Sequence, residues 1–388
     1  MCAISFLKFS HCEGTNWATP DQYIHACYSD LPSLYEARGL SNHRWAYIGG
    51  ENAIEYPVIT GIIMWATSWL AHSPSGYFNL NAIFIGILFI GSIFLVRKMA
   101  PHRFNLYLIS PAVIASLYIN WDLWAVVTML AAIYYFDKEK YKESSIYLGI
   151  SIATKFMPIF LLLPITIILW RRNKKREIIT YSLISFGTWL IINIPVAITT
   201  PDGWWRFYQL NLQRGPDWGS IWYTLSIFSI SIENLNYISV LILLAVFTGI
   251  SIFLLEPRNA PTLAQVAFIV LASVMVISKV YSPQYVLWLT PLAVIALKER
   301  NTLSAYWIWQ ITELLYHVAI WQHLATVTGS TFGLPATTYG VLAAIRILAT
   351  VYLIATFIRQ SLADKRSKEG SSGNNLADFL FEAGKSYP

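Results

Sequence analysis

Isolated ionisable residues occur within otherwise apolar stretches of this 388-residue sequence, and they are the first candidates for chemistry. A charged side chain inside a membrane span is costly, so where one occurs it commonly marks a site or a pathway. The candidates of this kind are Asp122, Lys155, Lys279, Glu313, His317 and Arg346. Glu313 and His317 are four residues apart and therefore share one face of a helix. We expect these side chains to line a polar cavity.

All of these residues except His317 also have a structural alternative. Glu313 and Arg346 could form an ion pair that only holds two helices together, and Asp122 could be a helix N-cap. The two lysines could extend their ammonium groups to the membrane interface. A shared site is favoured because all of these residues fall toward the same end of the bundle outlined below.

The segment 199–233 contains a second group of charged residues among many aromatic ones. Arginine binds phosphate through two parallel hydrogen bonds, so Arg214 beside Asp217 is a predicted ligand contact. Tryptophan and tyrosine are typical of the membrane interface, although their rings also stack on sugars. We expect the tryptophans here to belong mainly to an interfacial belt.

The N-terminal segment contains polar residues and two cysteines that cannot belong to a membrane span. "SDLPSLYEARG" at 29–39 predicts a helix capped by Ser29 or Asp30, with Gly39 at its end. Cys12 and Cys27 could pair in an oxidising compartment or stay as free thiols. No cluster of metal ligands is visible in the sequence, so we expect no cofactor, although a divalent cation is not excluded.

The composition predicts the elements that position these residues. The chain is 56% apolar and 12% charged, whereas a soluble domain is typically about 25% charged. Long apolar runs without strand-like alternation indicate membrane-spanning helices, not a barrel. The predicted fold is an all-α, polytopic transmembrane helical bundle. The net charge of +6 then concerns topology and lipid headgroups, and it gives no case for nucleic acid.

About 11 spans are predicted, and several are shorter than the roughly 20 residues of a full crossing. The predicted spans are 77–97, 105–119, 122–136, 143–155, 157–170, 178–198, 234–255, 262–280, 284–297, 302–321 and 339–359. The opening residues "MCAISFLKF" are too short to span and could be a truncated first helix.

Basic residues predict the sidedness of these spans. Alternating the breaks between the two sides places 18 of the 27 basic residues inside, including those of "RRNKKRE" at 171–177 and those after 359. The other breaks after residue 76 hold only Lys155, Arg206, Arg214 and Lys279. We therefore expect the transmembrane bundle to cover 77–359 and a disordered cytoplasmic tail to cover 360–388. Parity alone leaves 56–72 either as a crossing or as an interfacial helix.

The order and spacing of several short stretches resemble glycosyltransferase family 87 of the GT-C superfamily. The stretches are "YSDLPSLYEARGL", "EYPV", "NWDLWAVVTMLA", "GISIATKFMPIFLLLP" and "SPQYVLWLTPL". The resemblance is greatest to the actinobacterial branch that uses polyprenyl-phosphate mannose, and it extends to about residue 358.

The resemblance implies specific roles. Asp30 corresponds to the catalytic base of the first outward loop and Tyr35 to the aromatic residue that follows it. Tyr56 matches a Tyr-Pro-Pro signature, of which the last residue is Val58 here. Asp122 corresponds to the second acid of the fold and Lys155 to a lysine of a Gly-rich helix pair. The resemblance also places 1–76 outside as the first loop, with 56–72 lying along the membrane, although the family's first span is largely absent.

The predicted function is that of a multi-pass plasma-membrane enzyme whose active site faces outside. It would transfer a hexose, by resemblance mannose, with inversion from a polyprenyl-phosphate sugar to a hydroxyl of a glycan or glycolipid acceptor. Asp30 and Asp122 are the predicted catalytic residues. The predicted substrate-binding residues are Tyr35, Tyr56, Lys155, Arg214, Asp217, Lys279, Glu313, His317 and Arg346. The alternatives are a lipid or polysaccharide flippase and a non-catalytic membrane assembly protein.

Overall fold

The computed structural model describes residues 1–256, 261–298 and 300–383, and across these residues the regular elements are all helical. The N-terminal part consists of short helices. Their bounds are Cys2–Leu7, Ser10–Gly14, Asp21–Ile24, Asp30–Ala37, Leu40–Asn42, Gly50–Asn52 and Val58–Ser68. The last of these lies within the predicted interfacial helix 56–72. At 11 residues it rises only about 17 Å, which is too short to cross a bilayer.

The rest of the chain forms the helical bundle. Its elements are Pro74–Met99, Phe104–Leu108, Pro111–Ser116, Asp122–Asp137, Tyr141–Thr154, Met157–Leu161, Leu162–Arg171, Lys175–Thr199, Pro201–Gln213, Ile221–Ile227, Leu235–Leu255, Leu263–Ile277, Pro283–Tyr285, Val286–Ala296, Arg300–Val327 and Ala336–Ala383. Among the described residues, four helices are long and apolar enough to cross a membrane: Pro74–Met99, Lys175–Thr199, Leu235–Leu255 and the Ala336–Leu362 part of the last helix. The prediction of an all-α, membrane-embedded protein is therefore confirmed.

The predicted span 105–119 is wrong as a single helix. The chain forms two short helices there, Phe104–Leu108 and Pro111–Ser116. Pro111 has no amide hydrogen and disfavours helical backbone in the residue before it, so the helix ends before Ser110. Most of Pro111–Ser116 is buried by its neighbours, whereas in Phe104–Leu108 Tyr107 alone is buried.

The last helix extends beyond its predicted end at residue 359. It includes 360–383, a segment for which the sequence predicts a disordered tail, so this part is helical in the structure. The stretch "LADKRSKE" contains mostly good helix formers, and these allow the helix to continue. Residues 384–388 of the predicted tail lie outside the described residues, as do 257–260 and 299 of two predicted inner loops.

The loops of the bundle gather at two opposite ends. At one end Arg103 donates to the Lys298 carbonyl at 2.6 Å, and the Gln360 amide donates to the Ala296 carbonyl at 3.0 Å. These contacts join three of the loops that are rich in basic residues. At the other end the Asp217 amide donates to the Lys279 carbonyl at 2.8 Å. Which side of the membrane each end faces remains a prediction.

The second end also carries the N-terminal helices. The Gln322 side chain donates to the Ile24 carbonyl at 2.8 Å, and the Tyr339 hydroxyl donates to the Trp218 carbonyl at 2.6 Å. A Cβ atom on Gly203 would lie 1.8 Å from the Tyr47 carbonyl oxygen, so only glycine lets the helix Pro201–Gln213 pack this closely. The N-terminal helices and the 199–233 segment therefore form one surface.

Candidate functional site

Asp30 is the first residue of the helix Asp30–Ala37, but it does not cap that helix. The N-cap is Ser29, whose Oγ accepts a hydrogen bond from the Leu31 amide at 3.2 Å. The Ser29 hydroxyl in turn donates to the Tyr118 carbonyl at 2.8 Å, and the Asp30 amide donates to the Ile119 carbonyl at 2.8 Å. The start of this helix is thus fixed against the segment before Asp122, and the Asp30 carboxylate is left available for another role.

Two tyrosine hydroxyls converge on the Asp30 carboxylate. Tyr28 donates to Oδ1 at 2.9 Å and Tyr56 donates to Oδ2 at 3.4 Å. Burial raises the pKa of Asp30 to about 6, against a lowering by the Tyr28 hydrogen bond and by the charge of Lys155. Burial likewise raises the pKa of both tyrosines, which keeps them protonated as donors. An acid with this pKa is ionised at neutral pH and can still accept a proton.

Tyr56 is held in place by an ion pair on the preceding residue. Arg38, at the end of the Asp30 helix, binds Glu55 through Nε at 2.7 Å and Nη2 at 2.8 Å. Pro57 follows as the N-cap of the next helix, with fixed extended backbone. The arginine fork therefore connects both ends of the loop that aims Tyr56 at Asp30.

Lys155 and Asp122 form the second half of the site. They lie at the adjoining ends of an antiparallel helix pair, Asp122–Asp137 and Tyr141–Thr154. Lys155 Nζ lies 2.6 Å from Asp122 Oδ1 and 4.7 Å from the centroid of the Tyr56 ring. Asp122 is completely buried, and its Oδ2 has no hydrogen-bond partner among the described residues. We call Asp30, Tyr28, Tyr56, Lys155 and Asp122 the Asp30 cluster.

Asp122 is not the helix N-cap that its position allows. The N-cap residue is Trp121, and the Asp122 amide donates to Asn120 Oδ1 at 2.9 Å. The carboxylate is therefore committed to Lys155 and not to the backbone.

Arg214 and Asp217 are brought together beside a cavity. Arg214 Nη2 lies 3.1 Å from Asp217 Oδ2, and both side chains are partly exposed. A cavity of about 500 Å³ opens next to them, with Arg214, Lys279, Asn236 and Tyr237 among its lining residues. The pair therefore lies at the edge of a cavity, and a phosphate contact for Arg214 stays a prediction.

Lys279 is occupied by other groups. Its Nζ donates to the Arg214 carbonyl at 2.7 Å, to Asn236 Oδ1 at 2.7 Å and to the Leu212 carbonyl at 3.3 Å. An ammonium group has three donors, so these contacts use its full capacity. A phosphate role for Lys279 would require these contacts to break.

Glu313 and Arg346 form a closed ion pair inside the bundle. Arg346 Nε lies 2.9 Å from Glu313 Oε2, and its other nitrogens donate to the carbonyls of Tyr281 at 2.7 Å and Ser282 at 3.1 Å. Glu313 Oε1 also accepts from the hydroxyl of Tyr281 at 2.9 Å and from the indole of Trp309 at 3.1 Å. Both side chains are at most 1% exposed. The geometry matches the structural alternative and shows no contact with the Asp30 cluster.

His317 is buried one helical turn after Glu313, and its Nε2 accepts a hydrogen bond from the Trp321 indole at 3.2 Å. Its Nδ1 lies 3.2 Å from Ser116 Oγ and its Nε2 lies 3.2 Å from Lys8 Nζ. Burial lowers the pKa of the Lys8 ammonium to about 7, so this amine can lie beside an imidazole without a carboxylate. His317 therefore packs the N-terminal segment onto the bundle.

Tyr35 supports the Asp30 helix from behind. Its hydroxyl donates to the Ala71 carbonyl at 3.0 Å, and its ring stacks on Tyr77 with 4.5 Å between centroids. Residues five apart lie on different faces of a helix, so Tyr35 cannot point where Asp30 points.

Two features of the site were missed by sequence reasoning. Tyr28 contacts Asp30 because the two residues flank an extended Ser29, and alternate residues of extended chain point the same way. His11, Asp21 and His25 come together although their spacing matches no standard ligand motif. Cys12 and Cys27, left open above, form a disulfide with a Cα–Cα distance of 6.0 Å.

No protein-family model and no curated protein sequence matches the chain. Among solved structures, the fold is similar to the crystal structure of ArnT from Cupriavidus metallidurans bound to undecaprenyl phosphate. The sequence identity is 14% and the TM-score is 0.43, and the alignment covers 87% of this chain and 73% of that chain. A similarity this low carries no argument about the activity.

Proposed function

We propose that this chain is a membrane glycosyltransferase of the GT-C type that uses a polyprenyl-phosphate sugar. It transfers a hexose to an acceptor hydroxyl on the outer face of the membrane, with inversion at the anomeric carbon. The resemblance of the sequence to family 87 makes mannose the sugar to test first. The acceptor is a hydroxyl of a glycan or a glycolipid.

The Asp30 carboxylate carries this proposal. Asp30 is a half-buried residue whose carboxylate does not cap its helix, and two phenol donors orient that carboxylate. In the proposed reaction the acceptor oxygen attacks the anomeric carbon as Asp30 accepts the hydroxyl proton. The bond between the anomeric carbon and the phosphate oxygen breaks, and the electron pair leaves with the lipid phosphate. A pKa of about 6 suits this base at neutral pH.

The leaving phosphate gains negative charge, so cations should lie where it departs. Lys155 lies at the Asp30 cluster, and Arg214 borders the cavity of about 500 Å³ described above. We assign Lys155 and Arg214 to the phosphate, and Asp122 to the orientation of Lys155.

The decisive experiment is Asp30→Asn, assayed with labelled polyprenyl-phosphate mannose in washed membranes. Asparagine keeps the shape and accepts hydrogen bonds, but it cannot take a proton. We expect transfer to fall by at least about 10²-fold, typical of losing a general base, with thermal stability nearly unchanged.

The matched control is Ser29→Ala, which removes the cap and keeps the base. It should cost about 0.5–2 kcal/mol of stability, while transfer per folded molecule changes little. Near-normal transfer by Asp30→Asn would show that the base lies elsewhere, with Asp122 next. In the wild type, movement of the labelled lipid without transfer would identify a flippase, and neither activity would favour an assembly protein.

A further inference from the structure

Three metal-binding side chains meet in the N-terminal helices, apart from the Asp30 cluster. His11 Nε2 lies 2.8 Å from Asp21 Oδ2, and His25 Nδ1 lies 3.1 Å from Asp21 Oδ1. One donor atom from each residue lies within 4.8 Å of the other two. The two imidazole rings face each other with 3.6 Å between centroids.

A covalent crosslink brackets this group. Cys12 follows His11 directly and pairs with Cys27, two residues after His25. Asp21 opens the short helix Asp21–Ile24 between them, on a loop closed by the disulfide. The crosslink holds the backbone next to His11 close to the backbone near His25. Without a metal, the three side chains contribute little to the stability of the fold, because partly exposed ion pairs add at most about 1 kcal/mol.

The donor set selects the class of ion. Two imidazole nitrogens and one carboxylate oxygen suit Zn²⁺, whereas Ca²⁺ and Mg²⁺ prefer oxygen ligands. Bonds of about 2.0–2.1 Å in a tetrahedral site place two donors about 3.3 Å apart, so only small side-chain movements are needed. We propose that His11, Asp21 and His25 bind a zinc ion, with water in the fourth position.

The ion would stabilise a wall of aromatic rings beside Asp30, formed by Tyr23, Tyr28 and Trp321. Tyr23 lies between Asp21 and His25 in the chain, and its ring stacks on Tyr28 at 5.5 Å and on Trp321 at 6.2 Å. Tyr28 is the residue that donates to Asp30. A metal that holds this segment therefore orders the aromatic wall without touching the reacting atoms. The inference is independent of the proposed function, because its readout is metal binding.

The test uses the full chain in detergent, purified without a polyhistidine tag or a reductant and stripped with a chelator. Titration with Zn²⁺ should load one ion per chain and raise the melting temperature, and Co²⁺ should give visible absorption bands. His11→Gln and His25→Gln should each weaken Zn²⁺ binding by at least about 10-fold, since even outer contacts of a metal cost about 10–100-fold. His72→Gln and His102→Gln, at two other exposed histidines, should change nothing.

Two outcomes would overturn the proposal. One is a wild-type chain that binds no Zn²⁺ at micromolar free ion. The other is binding that persists unchanged in both His11→Gln and His25→Gln, which would place the ion elsewhere. Loss of binding in Asp21→Asn with a retained disulfide and wild-type circular dichroism would support the three-residue site, and unchanged binding would count against it.

Discussion

The Asp30 cluster and the Glu313–Arg346 pair both place opposite charges in a largely buried setting, yet they differ in what surrounds them. Around Glu313 and Arg346, indole, phenol and carbonyl groups complete the hydrogen bonding, and the side chains are at most 1% exposed. In the Asp30 cluster, Asp30 is only half-buried and Asp122 Oδ2 lacks a hydrogen-bond partner among the described residues.

This difference distinguishes an ion pair that only stabilises the fold from one that can take part in ligand binding. A buried charge must recover the hydration it loses, and the Glu313–Arg346 pair does so with protein groups alone. The Asp30 cluster does so incompletely, which leaves capacity for a ligand. Charge at membrane depth by itself therefore does not distinguish the two, whereas the number of satisfied hydrogen bonds does.

The largest expected effect is a loss of stability when the Glu313–Arg346 ion pair is broken. Arg346→Met leaves the Glu313 carboxylate buried without its cation, and we expect a loss of about 3–5 kcal/mol. Thermal unfolding in detergent measures it. The double variant Glu313→Leu with Arg346→Met should recover most of the loss, because an apolar pair of similar volume replaces both charges. A stable Arg346→Met chain that has selectively lost transfer would contradict the structural assignment.

The next-largest effect is expected at the two basic residues that we assign to the phosphate, Lys155 and Arg214. Lys155→Ala and Arg214→Ala each remove a proposed charge-assisted contact to phosphate, worth about 1.5–3 kcal/mol, so donor use should weaken by about 10–100-fold. Initial rates against donor concentration measure this.

Two comparisons sharpen the assignment. Lys279→Ala should lower stability more than donor use, because its three donors hold carbonyl and amide groups. The double variant Lys155→Met with Asp122→Asn should fold well and still transfer poorly. Normal donor saturation in both Lys155→Ala and Arg214→Ala would place the phosphate elsewhere.

A smaller effect is expected in the pH dependence. Asp30 must be ionised to act as a base, and burial raises its pKa to about 6. Transfer should be level above that pH and fall about tenfold per unit below it. Tyr28→Phe removes a hydrogen bond that lowers this pKa, so the midpoint should move to higher pH. Tyr35→Phe, whose hydroxyl bonds only a distant carbonyl, should leave the midpoint in place. A flat profile down to pH 5 would exclude Asp30 as the base.

No effect on activity is expected from the test of sidedness. Single cysteines at 174 and 330, in a background with Cys2→Ser, should react oppositely with an impermeant thiol reagent in intact cells. Residue 330 should label and residue 174 should not. Equal labelling of both positions would refute the outward placement of the Asp30 cluster.

The sequence by itself determined the class of the molecule and the outline of its bundle. Apolar runs are local and long, so they predicted helical structure along most of the bundle, but they did not predict Pro201–Gln213 and Ile221–Ile227 or most of the short N-terminal helices. The failure at 105–119 came from one proline whose effect on the preceding residue outweighed the apolar pattern. The segment 29–39 predicted a helix capped by Ser29 or Asp30. It could not choose between the two, because either side chain can accept a hydrogen bond from a backbone amide of the first turn.

Only the tertiary structure decided which charged residues have their hydrogen bonds completed by protein groups and which still have capacity for a ligand. Asp30 and Tyr56 are 26 residues apart, Glu313 and Arg346 are 33 apart, and Lys279 and Leu212 are 67 apart. Such hydrogen bonds depend on how helices pack, and no local period encodes them. The sequence predicted both Lys279 and Arg214 as substrate-binding residues, whereas packing occupies the Lys279 amine with protein groups and leaves the Arg214 side chain partly exposed beside the cavity. The physical reason is that desolvation and hydrogen-bond satisfaction belong to the assembled site and to no single residue.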